Sequence, residues 1–464
     1  MKLSQKQKAM LGVLSPGFGG TSVPAYIKEY LKNGLGAVTL FGSNTPDFET
    51  ATQLIAEIRA INPDCVISID EESGDVTRLW AKSGSPFPAP YLLGRLDDAE
   101  FTKQVFRQLG ARLALADIDV TFGPVFDLSI SDDNPIVGVR SFGREAELVT
   151  KHGTAAVAGL SEAGISCSPK HFPGHGKTSA DSHKDLPLID LPLAELMEED
   201  MRPFRAAIER GVKAIMVGHL LVPSVDSKAA SLSKVWCEDI LRGQLKFDGA
   251  IVTDALDMGA LGGLEDIDKS ALAAVRAGAN LLCLSGIADQ SKILAQILDL
   301  AEKELTNEDL ELIDYSKQKI STLRRNQQTD VGIEELSVDY MSKGFAVTGE
   351  SKLKPGSIAV LTLGAEPTIA SGHISWGLDS SLSNLGIETG EFDTAENRII
   401  QFRDAWRDPV ILERLMMLKQ TYPDAKFVDF GWPTNSFTAK NLIRAYGATR
   451  AHSDGVANLL VGEV

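Results

Sequence analysis

Four cysteines in 464 residues, no block of lysine and arginine, and no long apolar run set the first limits on this chain. Cys65, Cys167, Cys237 and Cys283 are scattered singly, three of them in runs that read as strands or helices. That excludes a disulfide framework and predicts buried, reduced thiols in a reducing compartment. The lack of clustered basic residues, with a formal net charge of -17, argues against a nucleic-acid partner, because phosphate binding needs grouped Lys and Arg. No stretch approaches the roughly 18 apolar residues that span a bilayer, so no membrane association is expected. The opening MKLSQKQKAMLGVL has a basic start, but Ser15, Pro16 and Gly17 cut its apolar run short of the roughly 7–15 residues of a signal-peptide core. A cytoplasmic location is therefore expected. Internal repeats and low-complexity tracts are also missing.

What is present is enough apolar sequence, 44% of residues against 23% charged, to bury a large core and fill one barrel plus a smaller domain. Short apolar runs alternate with amphipathic stretches through the first two-thirds of the chain. The runs fall near Gly12–Leu14, Ala37–Phe41, Val66–Ile69, Val120–Phe122, Ile165–Ser168, Ala214–Val217, Ala250–Thr253 and Ala279–Leu284. Most are continuous and not alternating, as in parallel strands covered on both faces. Phe48–Ala60, Leu193–Glu209 and Lys292–Glu304 have helical spacing between or after them. Eight strands each followed by a helix predict a TIM (β/α)8 barrel. An open doubly wound sheet would carry a glycine-rich phosphate turn after its first strand, and SPGFGG alone is weak evidence for one. A helix from about Thr306 to Asn326, with Asp309 placed for a capping box, closes this part. We expect a barrel over residues 1–326, a linker over 327–350 and a smaller α/β sandwich domain over 351–464, the last read from SIAVLTLG, VILERLMMLKQTYP, AKFVDFGWP and SDGVANLLVG.

Chemistry in such a barrel sits at the C-terminal ends of the strands. After the third run come Asp70, Glu71 and Glu72, with Arg78 in the same loop; after the fifth, Lys170 and His171; after the sixth, His219; after the seventh, Asp254. Any one of these is explained by a surface charge or, for Asp254, a helix cap. Their convergence from distant segments points to a site. The segment KHFPGHGKTSADSHKDLP carries three of the seven histidines, His171, His175 and His183. A zinc site is one reading, but the segment lacks a helix-held HExxH pair, and Pro and Gly shape a loop without fixing coordination. Acid/base chemistry is the other, because Asp181, two residues from His183, can orient its ring and stabilise the imidazolium. His175, flanked by glycines, reads as a scaffold residue.

Lys170–Pro187 resembles the motif KHFPGHGxTxxDSHxxLP of glycoside hydrolase family 3, in its bacterial β-N-acetylglucosaminidase branch, at every defined position. NPIVGVRSFG (134–143) is similar to the family's NPxxGxRSFG loop and VTDALDM (252–258) to its nucleophile segment; LFGSNT (40–45) resembles its second-strand region, and FVDFGWP and YGATR resemble the second domain of Gram-positive relatives. The resemblance implies Asp254 as nucleophile, His183 as general acid/base with Asp181 as its partner, and Asp70, Arg78, Arg140, Lys170 and His171 as sugar-binding groups. It also implies a retaining exo-β-N-acetylglucosaminidase acting on small carbohydrates such as muropeptides, with no cofactor and no metal. Phosphorolysis of the same glycosides is the close alternative, since neutral histidine does not repel phosphate; a non-catalytic sugar-binding barrel is the alternative of another class. The third-strand motif departs from the usual DxEGGRVxR: it reads DEESGDVTR, with Ser73 for Gly and Asp75 for Arg, which predicts a less basic wall there. With acid/base and nucleophile both in the barrel, the second domain is expected to stabilise or oligomerise; the oligomeric state itself stays open.

Overall fold

Eight short parallel strands organise the first two-thirds of the chain: β1 (Leu14–Pro16), β2 (Ala37–Leu40), β3 (Val66–Ile69), β4 (Val120–Thr121), β5 (Ser166–Cys167), β6 (Ala214–Val217), β7 (Ala250–Thr253) and β8 (Leu282–Leu284). The computed structural model describes residues 2–132, 134–178, 181–182, 185–286, 289–325 and 331–462. Every residue of the eight strands is buried, which is why the sequence shows mostly apolar runs without alternation here.

β2 to β5 form one parallel ladder, β6 pairs with β7, and β8 pairs with β1. Bridges Phe172↔Val217 and Val252↔Leu281 carry the ring from β5 to β6 and from β7 to β8. Between β1 and β2 the chains come so close that a Cβ on Gly36 would lie 2.0 Å from the Gly12 carbonyl oxygen, so only glycine fits. Ser15, Thr39 and Ser68 meet in the interior through hydroxyl contacts of 2.8 and 3.0 Å, satisfying one another where water is excluded. Helices wrap the outside. Phe48–Ile61, started by the Asp47 side chain accepting from the Thr50 N–H, lays Leu54, Ile55 and Ile58 on the barrel. The helix after β8's own, Asn307–Ser321, has the predicted Thr306/Asp309 capping box.

The second layer structure is a five-stranded sheet in the order β10-β11-β12-β13-β9, from β9 (Ala346–Thr348), β10 (Ile358–Gly364), β11 (Asn397–Arg403), β12 (Lys426–Asp429) and β13 (Leu442–Arg444). Only β9 runs antiparallel, on the edge beside β13. Helices Asp379–Asn384, Pro409–Thr421 and Arg450–Val461 accompany it. The architecture is thus the expected TIM barrel followed by a smaller α/β sandwich domain. The span read as a linker includes a short helix, Val338–Ser342, as well as β9. All four cysteines are buried and free of disulfides, and burial pushes the Cys65, Cys167 and Cys237 thiols up to about 12. Among the described residues no helix is long and apolar enough to cross a membrane.

Candidate active site

A cavity of about 520 Å³ opens at the C-terminal ends of the barrel strands, a size suited to a small ligand. Asp70, Arg78, Arg140, Lys170, His171 and Asp254 all line it. Six of the residues singled out in the sequence therefore share one space, delivered by the loops after β3, β4, β5 and β7.

Their side chains form a charged chain across the cavity wall. Glu72 is the hub: its Oε2 accepts from Arg140 Nε at 2.8 Å, its Oε1 accepts from Arg140 Nη2 at 2.7 Å and lies 2.6 Å from Lys170 Nζ. Lys170 Nζ also donates to Asp70 Oδ1 at 2.7 Å, and Asp70 Oδ2 lies 3.6 Å from Arg78 Nη2. Burial would raise the Glu72 carboxyl, but Arg140 and Lys170 outweigh it and hold the group well below the usual carboxylate range. Burial pulls Lys170 down, and Asp70 and Glu72 reverse that, so the ammonium stays charged. Two fixed cations and the Asp70 carboxylate thus line the cavity. Glu72 had no role in the sequence reading, although its place two residues after Asp70 was visible.

Asp127, by contrast, was not singled out in the sequence at all. It is fully buried and grips the histidine loop at three points: Oδ2 lies 2.6 Å from His171 Nδ1, while Oδ1 accepts from the backbone N–H of His171 at 3.1 Å and of His175 at 2.7 Å. Burial would raise the Asp127 carboxyl, and the two histidines more than offset it. A ring fixed at Nδ1 presents its other nitrogen in a set direction. His175 has the scaffold role expected of it. Its ring meets Thr178 Oγ1 at 2.6 Å, burial together with His171 lowers it to about 4, and its carbonyl and that of Thr178 both accept from the Asn134 side chain. Asn134 thereby stitches the NPIVGVRSFG loop, which supplies Arg140, to the histidine loop.

Asp254 follows β7 directly, its N–H donating to the Val217 carbonyl at 3.0 Å and its Oδ1 accepting from the Ala255 N–H at 2.8 Å. The Ala255 carbonyl receives His219 Nε2 at 2.9 Å, while His219 Nδ1 meets Ser231 Oγ at 2.7 Å. Through these two contacts His219 ties the turn carrying Asp254 to Ser231. Asp181 sits beside Ser182, which lines the cavity, and its carbonyl accepts from the Asp185 N–H at 3.0 Å. His183 lies outside the described residues. Among the described residues no group of three or more His, Cys, Asp or Glu is arranged to hold a metal ion.

Two expectations are corrected. Asp75 does not make the cavity wall less basic: it turns away from it, its Oδ2 lying 3.0 Å from Arg403 Nη2 and its Oδ1 accepting from the Ala448 N–H at 2.8 Å, both in the second domain. Ser73 beside it has φ +71, a left-handed conformation that suits the glycine usual there, and its hydroxyl donates to the Pro88 carbonyl at 2.7 Å. The second domain is also more than a stabilising module. Its segment 369–373 lines the cavity, and Arg78 donates to the carbonyls of Ala370 and Ser371 at 2.8 and 3.3 Å.

Residues 15–323, which carry most of this cavity at the C-terminal end of the barrel, match the glycosyl hydrolase family 3 N terminal domain. The chain belongs to that family and is a glycoside hydrolase. Its relatives include a β-hexosaminidase of Chromobacterium violaceum, 37% identical over 255 residues that cover 53% of this chain and 71% of the relative. Another, from Hydrogenovibrio crunogenus, is 34% identical over 301 residues, covering 63% of this chain and 84% of its own. Among solved structures, a family 3 β-N-acetylglucosaminidase from Paenibacillus sp. str. FPU-7 superposes with a TM-score of 0.85 at 28% identity, over 100% of this chain and 97% of that one. NagZ from Neisseria gonorrhoeae, at 29% identity and a TM-score of 0.57, covers 68% of this chain and 98% of its own.

Proposed function

We propose that this glycoside hydrolase removes terminal β-linked N-acetylglucosamine with retention of configuration, through a covalent glycosyl-aspartate. One observation carries the reading: Asp254 shares a cavity with Asp70, Arg78, Arg140, Lys170 and His171, brought from four different strand ends. The relatives' names, β-hexosaminidase and β-N-acetylglucosaminidase, support the sugar.

In the first step the Asp254 carboxylate attacks the anomeric carbon, and the bond to the leaving oxygen breaks as imidazolium His183 protonates that oxygen. In the second, neutral His183 takes a proton from water as the water oxygen attacks the same carbon and frees Asp254. Two inversions retain configuration. Asp181 orients the His183 ring and favours its charged form, and a histidine's ordinary pKa near 6.5 suits both directions of transfer near neutrality. Asp70, Arg78, Arg140, Lys170 and His171 hold the ring hydroxyls, converting charge placement into orientation. We assign muropeptides, or GlcNAc-anhydro-N-acetylmuramic acid, in cytoplasmic cell-wall recycling as the natural substrate class.

Turnover of p-nitrophenyl β-N-acetylglucosaminide tests the reading. Asp254→Ala and His183→Ala should each lose most activity, and the product in phosphate buffer should be free sugar. Wild-type activity in Asp254→Ala removes the nucleophile assignment; sugar 1-phosphate as the main product removes hydrolysis.

A further inference from the structure

The loop of residues 70–79, which carries Asp70, Glu72 and Arg78, is held from two sides. Within the barrel, Glu71 Oε2 accepts from the Arg78 and Leu79 N–H groups at 2.9 and 3.2 Å. From the second domain, the buried Asp75 carboxylate receives Arg403 and the Ala448 N–H. Arg403 is the last residue of β11 and pairs in register with Gly364 at the end of β10. Its carbonyl accepts from the Ala365 N–H at 3.3 Å, where the chain leaves β10. Residues 365–376 then cross the rim of the cavity and return to the barrel, where the Ser375 N–H donates to the Ala81 carbonyl at 2.7 Å. An inner turn keeps that stretch in shape: Thr368 Oγ1 accepts from the Ser371 N–H at 3.1 Å and the Thr368 carbonyl from the Gly372 N–H at 2.9 Å. Its Ala370 and Ser371 carbonyls are the ones Arg78 grips.

Arg403 therefore holds both partners of the Arg78 contact. Its side chain fixes the loop that bears Arg78, and its backbone fixes the start of the segment that Arg78 addresses. A buried ion pair is a poor choice for stability alone, because well-packed apolar side chains of similar volume often serve as well or better; fixing a register is the best-attested use of such a pair. Asp75 and Arg403 are only 4% and 9% exposed, so the pair is little screened.

We propose that Arg403 is a positioning residue for substrate binding: through its buried pair with Asp75 it sets the register between loop 70–79 and segment 365–376, and thereby the direction of the Arg78 guanidinium in the cavity. This rests on the reading of Arg78 as a sugar-holding group. Asp254 and the histidine loop come from other strand ends, so the effect falls on binding more than on the chemical step.

The test is steady-state kinetics with p-nitrophenyl β-N-acetylglucosaminide on the full chain. Arg403→Met should raise KM about tenfold with kcat within about threefold, and Arg403→Lys should recover part of the loss. Asp75→Asn, which keeps the acceptor for Ala448, should raise KM in the same direction and serves if Arg403→Met does not fold. The double variant Arg78→Ala/Arg403→Met should be no worse in KM than Arg78→Ala, because both act through one group. A raised KM in Arg78→Ala with unchanged KM in Arg403→Met and Asp75→Asn overturns the coupling alone. Multiplying KM effects in the double variant also overturn it. An unchanged KM in Arg78→Ala removes the sugar-holding reading and the proposal with it.

Discussion

Replacing Glu72 by Gln keeps the shape of the side chain and removes one charge from the centre of the cavity wall. In the native protein its carboxylate faces Arg140 at 2.7–2.8 Å and Lys170 at 2.6 Å, with all three side chains at or below 8% exposure. At an effective dielectric near 20, each contact at such distances is worth about 6 kcal/mol before desolvation. Desolvation of the three groups takes back several kcal/mol each, so the net value of the cluster is small, but removing one member leaves the others uncompensated. Without Glu72, Arg140 loses the carboxylate it is paired with, and Lys170 keeps its contact with Asp70. We expect a loss of about 3–5 kcal/mol, the usual cost of breaking a buried pair. Because the folded-state carboxyl lies below its usual 4.5, its contribution is fully present above that pH and fades as pH falls through the folded value. The deficit of Glu72→Gln should thus be largest near neutrality, shrink in acid, and persist in high salt, since the pair is buried. Urea unfolding between pH 3 and pH 8 measures it. The Lys319–Asp248 pair, whose Asp248 side chain is 89% exposed, is the control, and Asp248→Asn should leave the midpoint unchanged. A Glu72→Gln protein as stable as the wild type at pH 7 would refute the view that this carboxylate compensates the cations around it.

Two further predictions concern the same loop. Burial pushes Glu71 from 4.5 up to about 7, so ionising it costs stability as pH rises between those values. Glu71→Gln should match the wild type below about pH 4.5 and become more stable above pH 7, by up to about 3 kcal/mol, measured as the difference in unfolding free energy at pH 4 and pH 8; a constant difference across that range would contradict it. Gly74 has φ +78, and a Cβ there would lie 2.6 Å from Ala89 Cα, so Gly74→Ala should cost about 1–3 kcal/mol in thermal unfolding and raise KM by displacing Arg78. An unchanged Tm would show that the loop tolerates the shift.

The barrel was legible because its strands are covered on both faces and read as apolar runs, and the strand ends then pointed to Asp70, Lys170, His171 and Asp254. β11 was not, because Asn397, Arg398, Gln401 and Arg403 break the apolar pattern of NRIIQFR even though most of that strand is buried. Asp127 follows a strand of only two residues and looks like any polar loop residue until Oδ1 and Oδ2 are seen to hold the histidine loop. The segment around Ala370 and Ser371 offers Arg78 carbonyl oxygens, which every residue type has, so composition carries no trace of the contact. Asp75 shows the same limit from the other side. The substitution of Asp for Arg was visible, but its meaning depended on Arg403, a residue far away in the chain that only the fold brings within 3.0 Å.

The proposed mechanism turns on a covalent bond between Asp254 and the sugar. Incubation with a 2-fluoro or 5-fluoro glycosyl donor, followed by proteolysis and peptide mass spectrometry, tests it directly. One added glycosyl group per chain is expected, on the peptide containing Val252–Met258 and localised to Asp254. A glycosyl adduct on another carboxylate, or steady turnover of the donor by an Asp254→Ala protein, would contradict it.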